Sequence, residues 1–113
     1  MVVYKIVAES LWREAEATGI FQGAAIDRRD GYIHLSSREQ VKETAALHFK
    51  GQDNLVLVAI EAATFGNALK WEKSRGGAMF PHLYDLIDPV KILWAKPLTL
   101  SADGNHVFPD LPG

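Results

Sequence analysis

The sequence predicts a small single α+β domain over residues 1–113, with a mixed or antiparallel sheet and two helices. Three observations predict it. Leu55 to Ile60 is an uninterrupted apolar run of strand length, as expected of a strand covered on both faces. Ser10 to Thr18 and Ser36 to Lys50 carry apolar residues at three- and four-residue intervals, each opening on a serine and closing before a glycine. Tyr32 to Ser36 instead alternates with the period of two that strands impose, and Val2 to Ala8, rich in Val, Ile and Tyr, alternates loosely.

In chain order, Val2 to Ala8 reads as an opening strand. Ser10 is then the N-cap of a helix whose core side holds Leu11, Trp12, Ala15 and Thr18, and Gly19 stops it. Ile20 to Ile26 has no clear period and reads as a loop or extended piece crossing the core. Asp27 to Gly31 is a charged turn. In the following strand, burial of Ile33 and Leu35 turns Tyr32, His34 and Ser36 to the opposite face. Ser36-Ser37-Arg38-Glu39 matches a capping box and starts the second helix, with Val41, Thr44, Ala45, His48 and Phe49 along its core side and His48 at a buried or boundary position. Leu55 to Ile60 is the central strand, and Ala62 to Lys70 is a weakly patterned connection. Asp85 to Pro89 is a turn, Val90 to Ala95 a further strand that Pro97 to Leu100 extends, and Asp103-Gly104 or Gly104-Asn105 a hairpin tip before His106 to Phe108.

Composition narrows the function classes. A hydrophobic content of 48% in 113 residues is enough for one core without staples. Twelve basic against fourteen acidic residues, net −2, disfavour a broad footprint on duplex DNA. No cysteine is present, which removes disulfides, thiolate nucleophiles and cysteine metal sites, and the four scattered histidines predict no metal. Lys5 and Glu9 interrupt the N-terminal apolar run, so no membrane partner is expected and the protein reads as cytoplasmic. Dinucleotide, phosphate-loop, zinc-protease and serine-hydrolase signatures are absent. Nothing in the sequence sets an oligomeric state.

The densest chemistry lies at Trp71 to Tyr84. Gly76-Gly77 permits a sharp turn with bare amides, flanked by the charges of Lys73 and Arg75 and the acceptor Glu72, with His82 and Tyr84 following. Together with Tyr32, His34 and Ser36, these residues predict one concave pocket that holds a small anionic nucleotide. A non-catalytic anion-binding module and a protein interaction domain are the alternatives from other classes.

Asp30 to Ser36, Gln40 with Thr44, His48-Phe49, Leu55-Val56-Leu57 and Trp71 to Tyr84 together resemble the bacterial domain-of-unknown-function family 952. The resemblance implies a fold similar to the ADP-ribosyltransferase group, which includes the RNA 2′-phosphotransferases. NAD or an ADP-ribose-like nucleotide is then the expected ligand or substrate, an RNA end a possible partner, and transfer or hydrolysis of the ribosyl group the expected chemistry. In that group a strand histidine followed two residues later by Ser or Thr contacts the nicotinamide ribose, which His34 and Ser36 match, while Tyr84 and Glu72 stand for the aromatic and acidic members. On this basis His34 and Glu72 are the catalytic candidates. Glu72 stabilises the charge that builds on the sugar, Arg75 holds the pyrophosphate, and Tyr32 or Tyr84 stacks on a ring; Ser36, Gly76, Gly77 and His82 complete the binding set.

Overall fold

The computed structural model describes residues 1–112, with every side chain among them except that of Arg75. Strand β1 (Val2–Ala8) runs into helix α1 (Glu9–Thr18), and a short α2 (Ala25–Asp30) precedes β2 (Ile33–His34) and β3 (Ser36–Ser37). Helix α3 (Arg38–His48), β4 (Leu55–Glu61), a 3-10 segment (Ala62–Ala68), β5 (Leu69–Lys73), a 3-10 turn (Arg75–Gly77), β6 (Met79–Leu83), β7 (Trp94–Leu100) and β8 (His106–Val107) follow.

Among the described residues every strand pairing is antiparallel, in two sheets rather than one: β3-β1-β4-β7-β8 and β2-β6-β5. The apolar run at Leu55 is the middle strand of the larger sheet, paired along its length with β1 and β7. Alternation along β1 and β4 sends Val3, Val7, Val56, Val58 and Ile60 into one core, with Trp12, Phe21, Ile33, Leu35 and Leu83, and sends Tyr4, Ile6, Leu57 and Ala59 into a second core under Val41 and Ala45 of α3. The smaller sheet therefore packs on one face of the larger sheet and α3 on the other. The chain crosses between sheets at Leu35, whose N–H donates to Pro81 O at 3.0 Å, so His34 belongs to the small sheet and Ser36 to the large one.

Several boundaries differ from expectation, each for a local reason. Among the described residues there are three α-helices, not two, because residues 25–30 form a helix instead of a charged turn. The Asp27 carboxylate accepts the Ala24 N–H at 2.7 Å to start it, and Gly31, at φ 87°, ends it. Gly23 makes this possible: it sits at φ 101°, and a Cβ there would lie 2.7 Å from Asp27 Cβ. Helix α1 begins at Glu9, so Ser10 lies inside its first turn. The α3 cap is Ser37, whose N–H donates to Gln40 Oε1 at 3.1 Å, since Ser36 is committed to β3 opposite Tyr4 and its Oγ meets Thr44 Oγ1 at 2.9 Å. His48 is exposed rather than buried. The connection after β4 is a 3-10 segment that reaches β5 at Leu69. The strand expected at Val90 begins only at Trp94, because Asp88 accepts the N–H of Val90 through Oδ1 (3.0 Å) and that of Lys91 through its carbonyl (2.9 Å), holding a turn.

Candidate functional site

The small sheet has two unlike faces, and register decides which residues share them. His34 and Lys70 both stand opposite His82, and Glu72 stands opposite Phe80. Side chains directly opposite in an antiparallel pair share a face, as do residues two apart. One face therefore carries Tyr32, His34, Lys70, Glu72, Phe80, His82 and Tyr84, while Ile33, Leu69, Trp71 and Leu83 go to the core.

The polar face borders a cleft of about 530 Å³ whose other walls come from β1 and the end of α3. Strand β3 pairs only with Val3 and Tyr4, and the cleft lies beside Lys5 and Ile6, where that pairing stops. His34, Ser36, Ser74, Phe80 and His82 line it, together with Thr44 and His48 of α3 and Phe49 just after that helix.

At the inner end, Lys5 is nearly buried and its Nζ lies 3.0 and 2.8 Å from the two Asp27 oxygens. Asp27, 1% exposed, also accepts the His34 backbone N–H at 3.0 Å, and its Oδ1 lies 2.6 Å from His34 Nδ1. Burial opposes its ionisation, but the His34 ring and the Lys5 ammonium outweigh burial and hold the carboxyl at about 2. Burial pushes the Lys5 ammonium down, an effect that Asp27 counters. Because the Asp27 value lies below its ordinary 3.8, the stabilisation is present above pH 4 or so and lost as pH falls towards 2. Equilibrium unfolding at stepped pH should show about 2 kcal/mol disappearing across that window, and Asp27→Asn should flatten this part of the profile. On the far side of the imidazole, His34 Nε2 is 3.0 Å from Asp30 Oδ2. Both His34 nitrogens thus face carboxylates, which positions the ring and leaves it no nitrogen for a ligand.

The second cluster is wired differently. Glu72 Oε1 accepts the Tyr84 O–H at 2.7 Å and lies 2.9 Å from His82 Nδ1. These two contacts, the tyrosine first, hold the Glu72 carboxyl below its usual range, and the same bond pushes the Tyr84 phenol up to about 12. Tyr32 stacks on the His82 ring, centroids 4.1 Å apart at 23°, and also meets His34 at 4.7 Å and Tyr84 at 5.3 Å. His82 is 2% exposed, and its Nε2 has no hydrogen-bond partner among the described residues.

The profile of a family described as a protein of unknown function (DUF952) matches residues 6–95. The chain belongs to the DUF952 family. Its fold is shared by the crystal structure of protein CC0527 from Caulobacter crescentus at 50% identity and a TM-score of 0.90, covering 95% of this chain and 94% of that one. The solution structure of CC0527 gives 51% identity and a TM-score of 0.84, covering 92% and 90%. No curated protein matches the chain.

In this DUF952 domain, Tyr32, His34, Glu72, His82 and Tyr84 converge on one sheet face, and Ser36 joins the cleft from the other sheet. Tyr32, Glu72 and Tyr84 are not among the residues lining the cleft, and Glu72 and Tyr32 reach it only through contact with His82. Gly76 and Gly77, at φ 67° and 78°, make the β5–β6 hairpin turn, but the Gly77 N–H donates to Ser74 O at 2.9 Å, so that amide is used inside the turn. Arg75 stands at the tip beside Ser74, and its side chain lies outside the described residues. Sequence reasoning missed Asp27, Asp30 and Lys5. The available signal was Lys5 itself, since a lysine amid Val3, Tyr4, Ile6 and Val7 in a covered strand requires a buried acid. Among the described residues no three His, Asp or Glu side chains group to hold a metal, and no helix is long and apolar enough to cross a membrane.

Proposed function

We propose that the cleft binds an anionic nucleotide of the NAD or ADP-ribose kind. The observation that carries this reading is the cleft itself: about 530 Å³, within the range of about 300 to 1,000 Å³ typical of small-molecule sites, with His82, whose buried Nε2 has no hydrogen-bond partner among the described residues, as one of its lining residues. Charge orients the ligand. Lys5 is neutralised by Asp27, and Asp30 and Glu72 add negative charge nearby, so phosphates belong at the hairpin end with Arg75 and the ribose hydroxyls at the His82 end. Phe49 and Phe80 line the cleft as aromatic neighbours for a base or nicotinamide ring, and Tyr32 backs the His82 ring from outside the lining. We propose likewise that the fold, a small sheet packed on a larger one, is similar to that of the ADP-ribosyltransferase group.

Calorimetric titration with NAD and ADP-ribose tests it. Binding is expected, with a rise in unfolding free energy of about 2.7 kcal/mol at a ligand concentration one hundred times Kd. Absence of heat and of stabilisation with both compounds would end the reading.

A further inference from the structure

We infer that Glu72 and His82 form a proton-accepting pair, a general base for a hydroxyl group held in the cleft. The ionised Glu72 oxygen beside Nδ1 is an acceptor only, so in the neutral imidazole the proton resides on Nδ1 and the buried Nε2 carries the unshared lone pair. That nitrogen belongs to a buried cleft-lining residue and has no partner among the described residues, whereas both nitrogens of His34 face carboxylates and His106 Nε2 is 2.8 Å from the Gln52 carbonyl oxygen. Tyr32 holds the plane of the ring by stacking, and Tyr84 fixes the Glu72 oxygen by donating to it. His82 is the catalytic residue and Glu72 the positioning residue.

In the proposed step a hydroxyl O–H bond breaks and an N–H bond forms at Nε2. The electron pair stays on the oxygen as the new nucleophile, and the imidazolium is stabilised through Nδ1–H against Glu72. If the nucleotide reading holds, on which this choice of substrate rests, the oxygen attacks C1 of the ribosyl group. A C–O bond then forms as the C–N glycosidic bond breaks, and the bonding pair leaves with the base.

Two measurements on the ligand-free protein test the pair independently of NAD. In histidine 15N spectra at about pH 8, His82 should carry its proton on Nδ1, and Glu72→Ala should shift the proton toward Nε2. Hydrolysis of p-nitrophenyl acetate, in which the same proton transfer activates water against an acyl carbon as p-nitrophenolate departs, should fall about tenfold or more in His82→Gln and in Glu72→Ala and stay unchanged in His106→Gln. A wild-type proton on Nε2, or ester hydrolysis no faster than in buffer or equal in wild type, His82→Gln and Glu72→Ala, would overturn the pair. Failure of NAD and ADP-ribose to bind would overturn only the nucleotide reading.

Discussion

Asp27→Ala should lower the free energy of unfolding by about 3 to 5 kcal/mol, the cost of breaking a buried ion pair by removing one partner. Asp27 is the point where three parts of the fold meet. Its carboxylate starts α2 at Ala24, holds Lys5 of β1 and positions His34 of β2 through both backbone and ring. Alanine leaves the Lys5 ammonium, 8% exposed, without its counter-charge and leaves two N–H groups without their acceptor. Deprotonation of Lys5, already favoured by burial, limits the loss. Asp27→Asn should fall between wild type and alanine, because one oxygen still accepts while the charge is gone. Urea unfolding with an unchanged slope gives the comparison, and a loss under about 1 kcal/mol for alanine would show that the network does not hold the sheets together.

Arg75→Ala should weaken NAD or ADP-ribose binding about ten- to a hundredfold. A charge-assisted hydrogen bond contributes roughly 1.5 to 3 kcal/mol, and every 1.4 kcal/mol is about tenfold in affinity. On the nucleotide reading, Asp27 and Asp30 at the inner end of the cleft and the spent Gly77 amide leave charge recognition to Arg75 at the hairpin tip. Arg75→Lys should recover part of the loss, since an ammonium keeps the charge but not the planar fork. Titration of the three proteins side by side reads the effect, and equal affinities would remove Arg75 from the site.

What was legible in the sequence follows the range of the interactions. The central strand at Leu55 and the hairpin around Gly76-Gly77 were legible because strand period and glycine conformation are local. That Tyr32 and His34 turn away from Ile33 followed from the same period of two, whereas His82 and Glu72 join their face through the β2-β6-β5 register, which pairs residues far apart in sequence. The division into two sheets was not legible, since it turns on a single crossing at Leu35 between strands of two residues each. Helix α2 was hidden because its six residues are held by tertiary bonds to Asp27 rather than by periodicity. The one-residue shift of the α3 cap has the same origin: Ser36 and Ser37 are equivalent by sequence, and only pairing with Tyr4 separates them.

The central claim is that the polar face of the small sheet forms a nucleotide site. Amide shift mapping of 15N-labelled protein during titration with ADP-ribose tests it most directly. Saturable changes are predicted at His34, Ser36, Ser74, Phe80 and His82, with little at Lys42, Asn105 and His106, which line a separate groove. No saturable change at the first group, or changes confined to the second, would contradict the account.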